Sequence, residues 1–218
     1  MNNKTYYHLI IDKSGSMSSC VNETISGYNE QIQMIRDLQR LNPDQEILVS
    51  LTAFNHFVSH ITTCSKPAET ELLTRETYVP DGTTALLDAI GESVMSLKSR
   101  ASDEFNNDKA SAVVVIITDG YENASRFFSG NNVRNMIREL EATGKWTFSF
   151  LGADMAALEQ AQNLNIQKAN AASYSKADSG RVFEAMATSM DAYIFEKKAG
   201  RMKKSFLDKK DIDSEDLF

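Results

Sequence analysis

Apolar and polar positions follow one another along the chain in blocks whose spacing switches between that of a strand and that of a helix. Residues 5–11 form the first strand-like run, which gives way to a polar loop, Asp12-Lys13-Ser14-Gly15-Ser16-Met17. Val21, Ile25, Tyr28, Ile32 and Ile35 then recur at four- and three-residue intervals, one stripe of a long helix, until Asn42-Pro43-Asp44 breaks it. Residues 46–54 and 57–63 are both strand-like, and the short link Asn55-His56 between them predicts an antiparallel hairpin. Asp81-Gly82-Thr83-Thr84 opens a helix that carries Leu86, Ile90, Val94 and Leu97 on one face. After a polar stretch, 102–108, the continuous run Ala112-Val113-Val114-Val115-Ile116-Ile117 is that of a strand buried on both faces of a parallel sheet. It ends at Thr118-Asp119-Gly120. Val133, Met136, Ile137 and Leu140 mark another helix, residues 146–151 a strand and 155–162 a short helix. A weak edge strand is expected near Ile166, and a final helix carries Val182, Met186, Met190 and Tyr193.

Strands separated by helices predict an α/β fold, doubly wound. The expected sheet is open and mostly parallel, with one antiparallel edge strand from the hairpin and helices on both faces. In such sheets the binding crevice lies outside the carboxyl ends of the strands, where strand order reverses. Residues 1–196 read as one domain. Residues 197–218 are charged with few apolar anchors, and read as a mobile tail.

Composition narrows the function classes. The 218 residues carry a formal net charge of −7, against the basic surface that nonspecific nucleic-acid binding requires. No apolar run reaches the roughly 20 residues of a transmembrane helix. The start, Met1-Asn2-Asn3-Lys4, has no signal-peptide pattern, and Cys20 and Cys64 are expected as free thiols. The expectation is a cytoplasmic protein without nucleic-acid or membrane partners.

The chemistry lies in three loops that follow strands or open helices. The first offers Asp12, Ser14 and Ser16, the second Thr83 and Thr84, the third Asp119. In a turn, alternate residues of Asp-x-Ser-x-Ser can aim their oxygens at one centre while Gly15 permits a tight path. All are oxygen ligands, which suit magnesium; manganese or calcium would also be accommodated, whereas zinc would call for imidazole or thiolate.

Asp12-Lys13-Ser14-Gly15-Ser16 resembles the Asp-x-Ser-x-Ser signature of the metal-ion-dependent adhesion site of von Willebrand factor A domains. Gly82-Thr83 resembles that family's metal-site threonine, and Ile117-Thr118-Asp119-Gly120 its final aspartate loop. The three occur in the family's order, and the resemblance covers roughly residues 5–196. It implies direct metal binding by the Ser14 and Ser16 hydroxyls, and binding by Thr83 directly or through water. Asp12 and Asp119 are implied to hold the coordinated waters. An open coordination position is implied to accept a carboxylate from a protein partner. Thr84 competes with Thr83, and Asp81 stands where many members have glycine.

The resemblance therefore implies a metal-dependent adaptor or scaffold rather than an enzyme. The alternative is a metal-dependent phosphoryl-transfer hydrolase using Asp12, but Ser14 stands where such enzymes place a second carboxylate. The Gly-x-Ser-x-Gly and phosphate-loop motifs are absent too. His8 is expected to serve in packing and His56 and His60 to lie on a solvated sheet edge. Phe127-Phe128 reads as packing at a helix entry, and Cys20 has no catalytic partner nearby in sequence. Lys203-Lys204, Lys209-Lys210, Asp211, Asp213, Glu215 and Asp216 read as solvated tail charges, with Leu217-Phe218 a possible docking peptide.

Overall fold

Two strands dominated by β-branched and aromatic residues, β1 (Lys4–Asp12) and β4 (Ala110–Thr118), lie side by side at the centre of the sheet, and every residue but Lys4 is buried. The structure, a computed structural model, describes residues 3–152, 155–173, 179–201 and 206–207. The six strands run in the order β3-β2-β1-β4-β5-β6. β2 (Glu46–Phe54) pairs parallel with β1, and β5 (Trp146–Gly152) pairs parallel with β4. β6 (Ala171–Ser173) extends the parallel set. β3 (Val58–Ser65) is the one antiparallel strand, at the edge, with its register interrupted near Cys64, whose φ is +48°. The predicted doubly wound architecture with one antiparallel edge strand is the observed one.

The alternation of β1 and β4 side chains sorts the helices into two layers. Tyr7, Leu9, Ile11, Val113, Val115 and Ile117 face α1 (Val21–Leu41) and α6 (Ser179–Lys198). Ile10, Val114 and Ile116 face α2 (Leu86–Arg100) and α4 (Gly130–Ala142), with α5 (Met155–Asn163) beside them. The polar stretch expected as loop at 102–108 contains a short helix, α3 (Ser102–Asn106), because Phe105 inserts between the rings of Tyr6 and Trp146. The edge strand begins at Ala171 rather than near Ile166. Asn165 turns the chain with φ +66°, and Ile166 is buried among the residues behind α2 and α4.

The expectation of a tail with few anchors from residue 197 meets two contrary observations. Lys197 is buried at the last turn of α6, and its ammonium donates to Lys4 O, Thr5 Oγ1 and Ser111 Oγ at 2.6, 2.7 and 2.9 Å. Phe206 and Leu207 belong to the core, with Phe206 N donating to Asn170 Oδ1 at 2.6 Å. Lys203, Lys204 and residues 208–218 lie outside the described residues. Among the described residues no helix is long and apolar enough to cross a membrane.

Chain direction follows from this arrangement. After β1 the chain goes to β2 on one side and then, through α2, to β4 on the other, so the strand order reverses between β1 and β4. Their carboxyl ends, Asp12 and Thr118, flank the crevice.

Lys197 generates a testable pH dependence. Its partners are all neutral oxygens, and burial pushes its pKa down to about 7 from 10.5. Between those values the unfolded chain binds more protons than the folded one, so stability rises with pH from about 7 toward 10, by up to about 1.4 kcal/mol per pH unit. Urea unfolding at pH 7 and pH 9 should show this rise in the native chain and its loss in Lys197→Met. Equal pH slopes in the two proteins would contradict the assignment.

Candidate metal centre

Asp12 ends β1 with no solvent exposure, so its carboxylate depends on hydrogen bonds supplied from within. Oδ1 accepts the Ser14 amide at 2.6 Å, and Oδ2 accepts the Thr118 hydroxyl from the end of β4 at 2.6 Å. The main chain of the same residue is fixed by the Tyr78 hydroxyl, which donates to Asp12 O at 2.6 Å. The chain then enters a short 3-10 turn, Gly15–Cys20, anchored by the buried Met17 and Cys20, before α1 begins. This turn aims Ser14 and Ser16 back toward the crevice. Their hydroxyl oxygens lie 3.1 Å apart, and Ser16 Oγ donates to Asp119 Oδ1 at 2.6 Å.

The second loop is tied to the first through its backbone. Gly15 N donates to Gly82 O at 3.0 Å, and Asp81 N to Lys13 O at 2.9 Å. Gly82 has φ +75°, and the ring of His56 occupies the space where a Cβ would stand, so glycine is required on both counts. Thr83 is exposed on the rim; Thr84 is buried. Thr84 N donates to Asn123 Oδ1 at 2.9 Å and Thr84 O accepts Asn123 N at 3.0 Å, which sets the direction of its side chain.

Gly120 shows where the side-chain oxygens converge. A Cβ built there would lie 3.0 Å from Thr84 Oγ1, 3.4 Å from Asp12 Oδ2 and 3.6 Å from Ser16 Oγ. The structure thus brings Asp12, Ser14, Ser16, Thr84 and Asp119 together, while Thr83 is placed at the edge. The donor set fits a hard cation. Among the described residues there is no group of three or more His, Cys, Asp or Glu that could hold a metal ion. The electrostatics favour a cation at the oxygen set. Burial, reinforced by the charge of Asp119, pushes the Asp12 carboxyl up, and the hydrogen bonds from Thr118 and Ser14 offset only part of this. A cation held near Asp12 and Asp119 would offset what the hydrogen bonds leave.

Three residues that hold this arrangement were not singled out by sequence reasoning. Asn55, read only as part of a tight turn, is buried and joins the hairpin to the second loop. Its Nδ2 donates to Asp81 O at 2.8 Å and its O accepts Ala85 N at 2.7 Å. Glu122 accepts Leu87 N at the start of α2 and the Ala124 and Ser125 amides of its own loop. Asp88 accepts the amides of Arg126, Phe127 and Phe128 at 2.8–3.0 Å. Asp88 lies off the Leu86, Ile90, Val94 and Leu97 stripe, so nothing in the helical pattern marked it as buried. His8 and His60 are bridged by Thr52, at 2.9 and 3.0 Å, away from the centre. Phe127 is exposed, while Phe128 packs over Gly91 of α2.

The sequence matches no known family description and resembles no curated protein sequence. The fold is shared with solved structures. The vWF domain of the type V pili tip protein Mfa5 from Porphyromonas gingivalis aligns with a TM-score of 0.62 at 11% identity, covering 89% of this chain and 97% of that one. The PilB minor pilin from Streptococcus sanguinis aligns with a TM-score of 0.58 at 14% identity, covering 88% of this chain and 62% of that one. Proximal thread matrix protein 1 from the mussel byssus, with a zinc-occupied MIDAS motif, gives 0.57 at 14% identity over 86% and 46% of the two chains. The present chain thus spans about three-fifths of the pilin and under half of the byssus protein. These likenesses establish the von Willebrand factor A fold.

Asp88 yields a prediction. Replacing it with alanine strands three inward-facing amides of the loop that follows Asp119, and unfolding in urea should show a loss of about 3 kcal/mol. A loss below about 0.5 kcal/mol would mean that the loop is held by other contacts.

Proposed function

We propose that this von Willebrand factor A-fold chain is a divalent-cation-dependent protein-binding module, an adaptor or scaffold that engages an acidic residue of a partner through a cation at the carboxyl end of its sheet. The observation that carries the reading is the convergence of the Asp12, Ser16 and Thr84 oxygens around Gly120, with Ser14 and Asp119 joined to them through the Ser16 hydroxyl. Ser14 and Ser16 hold the cation through their hydroxyls, and Asp12 and Asp119 supply charge and orient coordinated water. Thr84, rather than Thr83, is the threonine of the site, because it alone has its hydroxyl inside. Magnesium is the proposed ion, with manganese an effective substitute.

The cation, when bound, supplies an electrophilic centre with mostly neutral ligands, which favours an external carboxylate. The chain's own residues do the rest. Ser16 and Asp119 stay hydrogen bonded across the crevice, and the exposed rim at Phe57, Val79 and Tyr121 surrounds the approach. The phosphoryl-transfer alternative is not favoured, because Ser14 stands where such enzymes place a second carboxylate.

Calorimetric titration with magnesium and manganese tests the reading. Saturable one-site binding is expected, weakened at least about tenfold by Ser14→Ala and by Thr84→Ala, and changed less than about twofold by Thr83→Ala. Binding that survives Ser14→Ala would contradict the site. Weakening by Thr83→Ala and not by Thr84→Ala would reverse the threonine assignment.

A further inference from the structure

The chain between β3 and α2, residues 66–85, is long for a connection, and apart from a 3-10 turn at Pro67–Glu69 it forms no helix or strand. It is nevertheless held along α1 as a strap. Arg36 donates from Nε to Pro67 O at 2.9 Å and from Nη2 to Thr70 O at 2.8 Å. The Tyr28 hydroxyl donates to Glu71 O at 3.2 Å. Asn29 clamps Leu73 at two points, Nδ2 donating to its carbonyl at 2.9 Å and Oδ1 accepting its amide at 2.8 Å. Side chains of α1 thus bind the strap's main chain from Pro67 to Leu73, and beyond it Tyr78 is buried in the core on the α1 side of the sheet.

The strap delivers one hydroxyl to the crevice loops. Pairing of β1 with β4 stops at Ile11–Ile117. One residue on, the Asp12 carbonyl accepts the Tyr78 hydroxyl at 2.6 Å, while the amide of the same peptide, Lys13 N, donates to Phe54 O at 2.6 Å. That peptide plane is therefore gripped at both ends, by the strap and by β2. From it the loop of Ser14 and Ser16 departs. The Ser14 amide, which donates to Asp12 Oδ1, and the Gly15 amide, which donates to Gly82 O, follow within two residues. Loss of the Tyr78 donor takes this partner from a buried carbonyl, and the plane turns toward another donor at the expense of the bonds that follow it.

On the reading that Ser14, Ser16 and Thr84 hold a divalent cation, we infer that Tyr78 is a positioning residue of that site. Its hydroxyl sets the plane of the Asp12–Lys13 peptide, and through it the direction in which Ser14 and Ser16 present theirs. Tyr78 acts on the cation through the main chain and is not itself a ligand.

Two variants of the full-length chain, each lacking one tyrosine hydroxyl that the strap uses, test this. Tyr78→Phe removes the bond to Asp12; Tyr28→Phe removes the bond between α1 and Glu71, seven residues earlier on the strap. Calorimetric titration with magnesium should show affinity weakened about fivefold or more in Tyr78→Phe and by less than about twofold in Tyr28→Phe. In the metal-free chain, amide hydrogen exchange at Ser14 and Gly15 should be about fivefold faster in Tyr78→Phe alone, with the amides of β4 exchanging alike in the two variants. Faster exchange throughout β4 in Tyr78→Phe would mean general loosening and would overturn the positioning role. Equal weakening of magnesium binding in both variants would mean that the strap needs only to be held, and would overturn it too. Unchanged affinity in Tyr78→Phe, beside normal binding by the native chain, would refute this inference and leave the metal centre standing. A native chain that binds no magnesium would refute the metal centre itself, and this inference with it.

Discussion

A carboxylate with no exposure to water must be surrounded by hydrogen-bond donors or positive charge, and Asp12 sets this condition at the end of the central strand. Its two oxygens draw in the Ser14 amide and the Thr118 hydroxyl, joining the loop after β1 to the end of β4. Asp119 follows Thr118 directly, so satisfying Asp12 brings a second carboxylate alongside. The result is a depression with more negative charge than its hydrogen bonds offset. The surrounding loops act as one unit because each is tied to the next through backbone groups: Gly15 to Gly82, Asp81 and Ala85 to Asn55, Thr84 to Asn123. Such a scaffold fixes the positions of its oxygens through the backbone of all three loops.

The two ends of the sheet solve opposite problems. At the amino end, Lys197 fills the gap between the starts of β1 and β4 and satisfies three oxygens with a single ammonium. The carboxyl end is built from side-chain oxygens instead. There Gly120 leaves open the volume that Thr84, Asp12 and Ser16 border. One end is closed by the Lys197 side chain from α6; the other presents side-chain oxygens around an open volume.

Much of this was legible in the sequence. The unbroken run from Ala112 to Ile117 reads as a central strand because only a strand covered on both faces can be apolar at every position. The helical stripes of Val21–Ile35 and Leu86–Leu97 and the short Asn55-His56 link gave the layers and the antiparallel edge. The Asp12, Ser14, Ser16 and Asp119 positions were identifiable because residues two apart in a turn, and residues at strand ends, have predictable placement. What stayed hidden depends on contacts distant in sequence. Thr83 and Thr84 are adjacent and chemically identical, and it is Asn123, some forty residues on, that ties the backbone of the buried Thr84 while Thr83 stays exposed. Asn55, Asp88 and Glu122 act through hydrogen bonds to backbone groups, many of them in other elements, which leave no periodic trace. Lys197 looked like the first residue of a charged tail, since nothing local reveals the three oxygens waiting for it across the sheet. The edge strand near Ile166 was misplaced because Asn165 turns the chain and sends that apolar residue into the core.

The central claim is that the buried Asp12 and its neighbours form a cation site completed by serine and threonine hydroxyls. The most direct test is anomalous diffraction from crystals of the protein grown with manganese. The account predicts one strong peak about 2.2 Å from both Ser14 Oγ and Ser16 Oγ, on the crevice side of Gly120, with Thr84 beside it and Thr83 turned away. Crystals saturated with manganese that show no peak there, or show one only at the histidines of the hairpin, would contradict it.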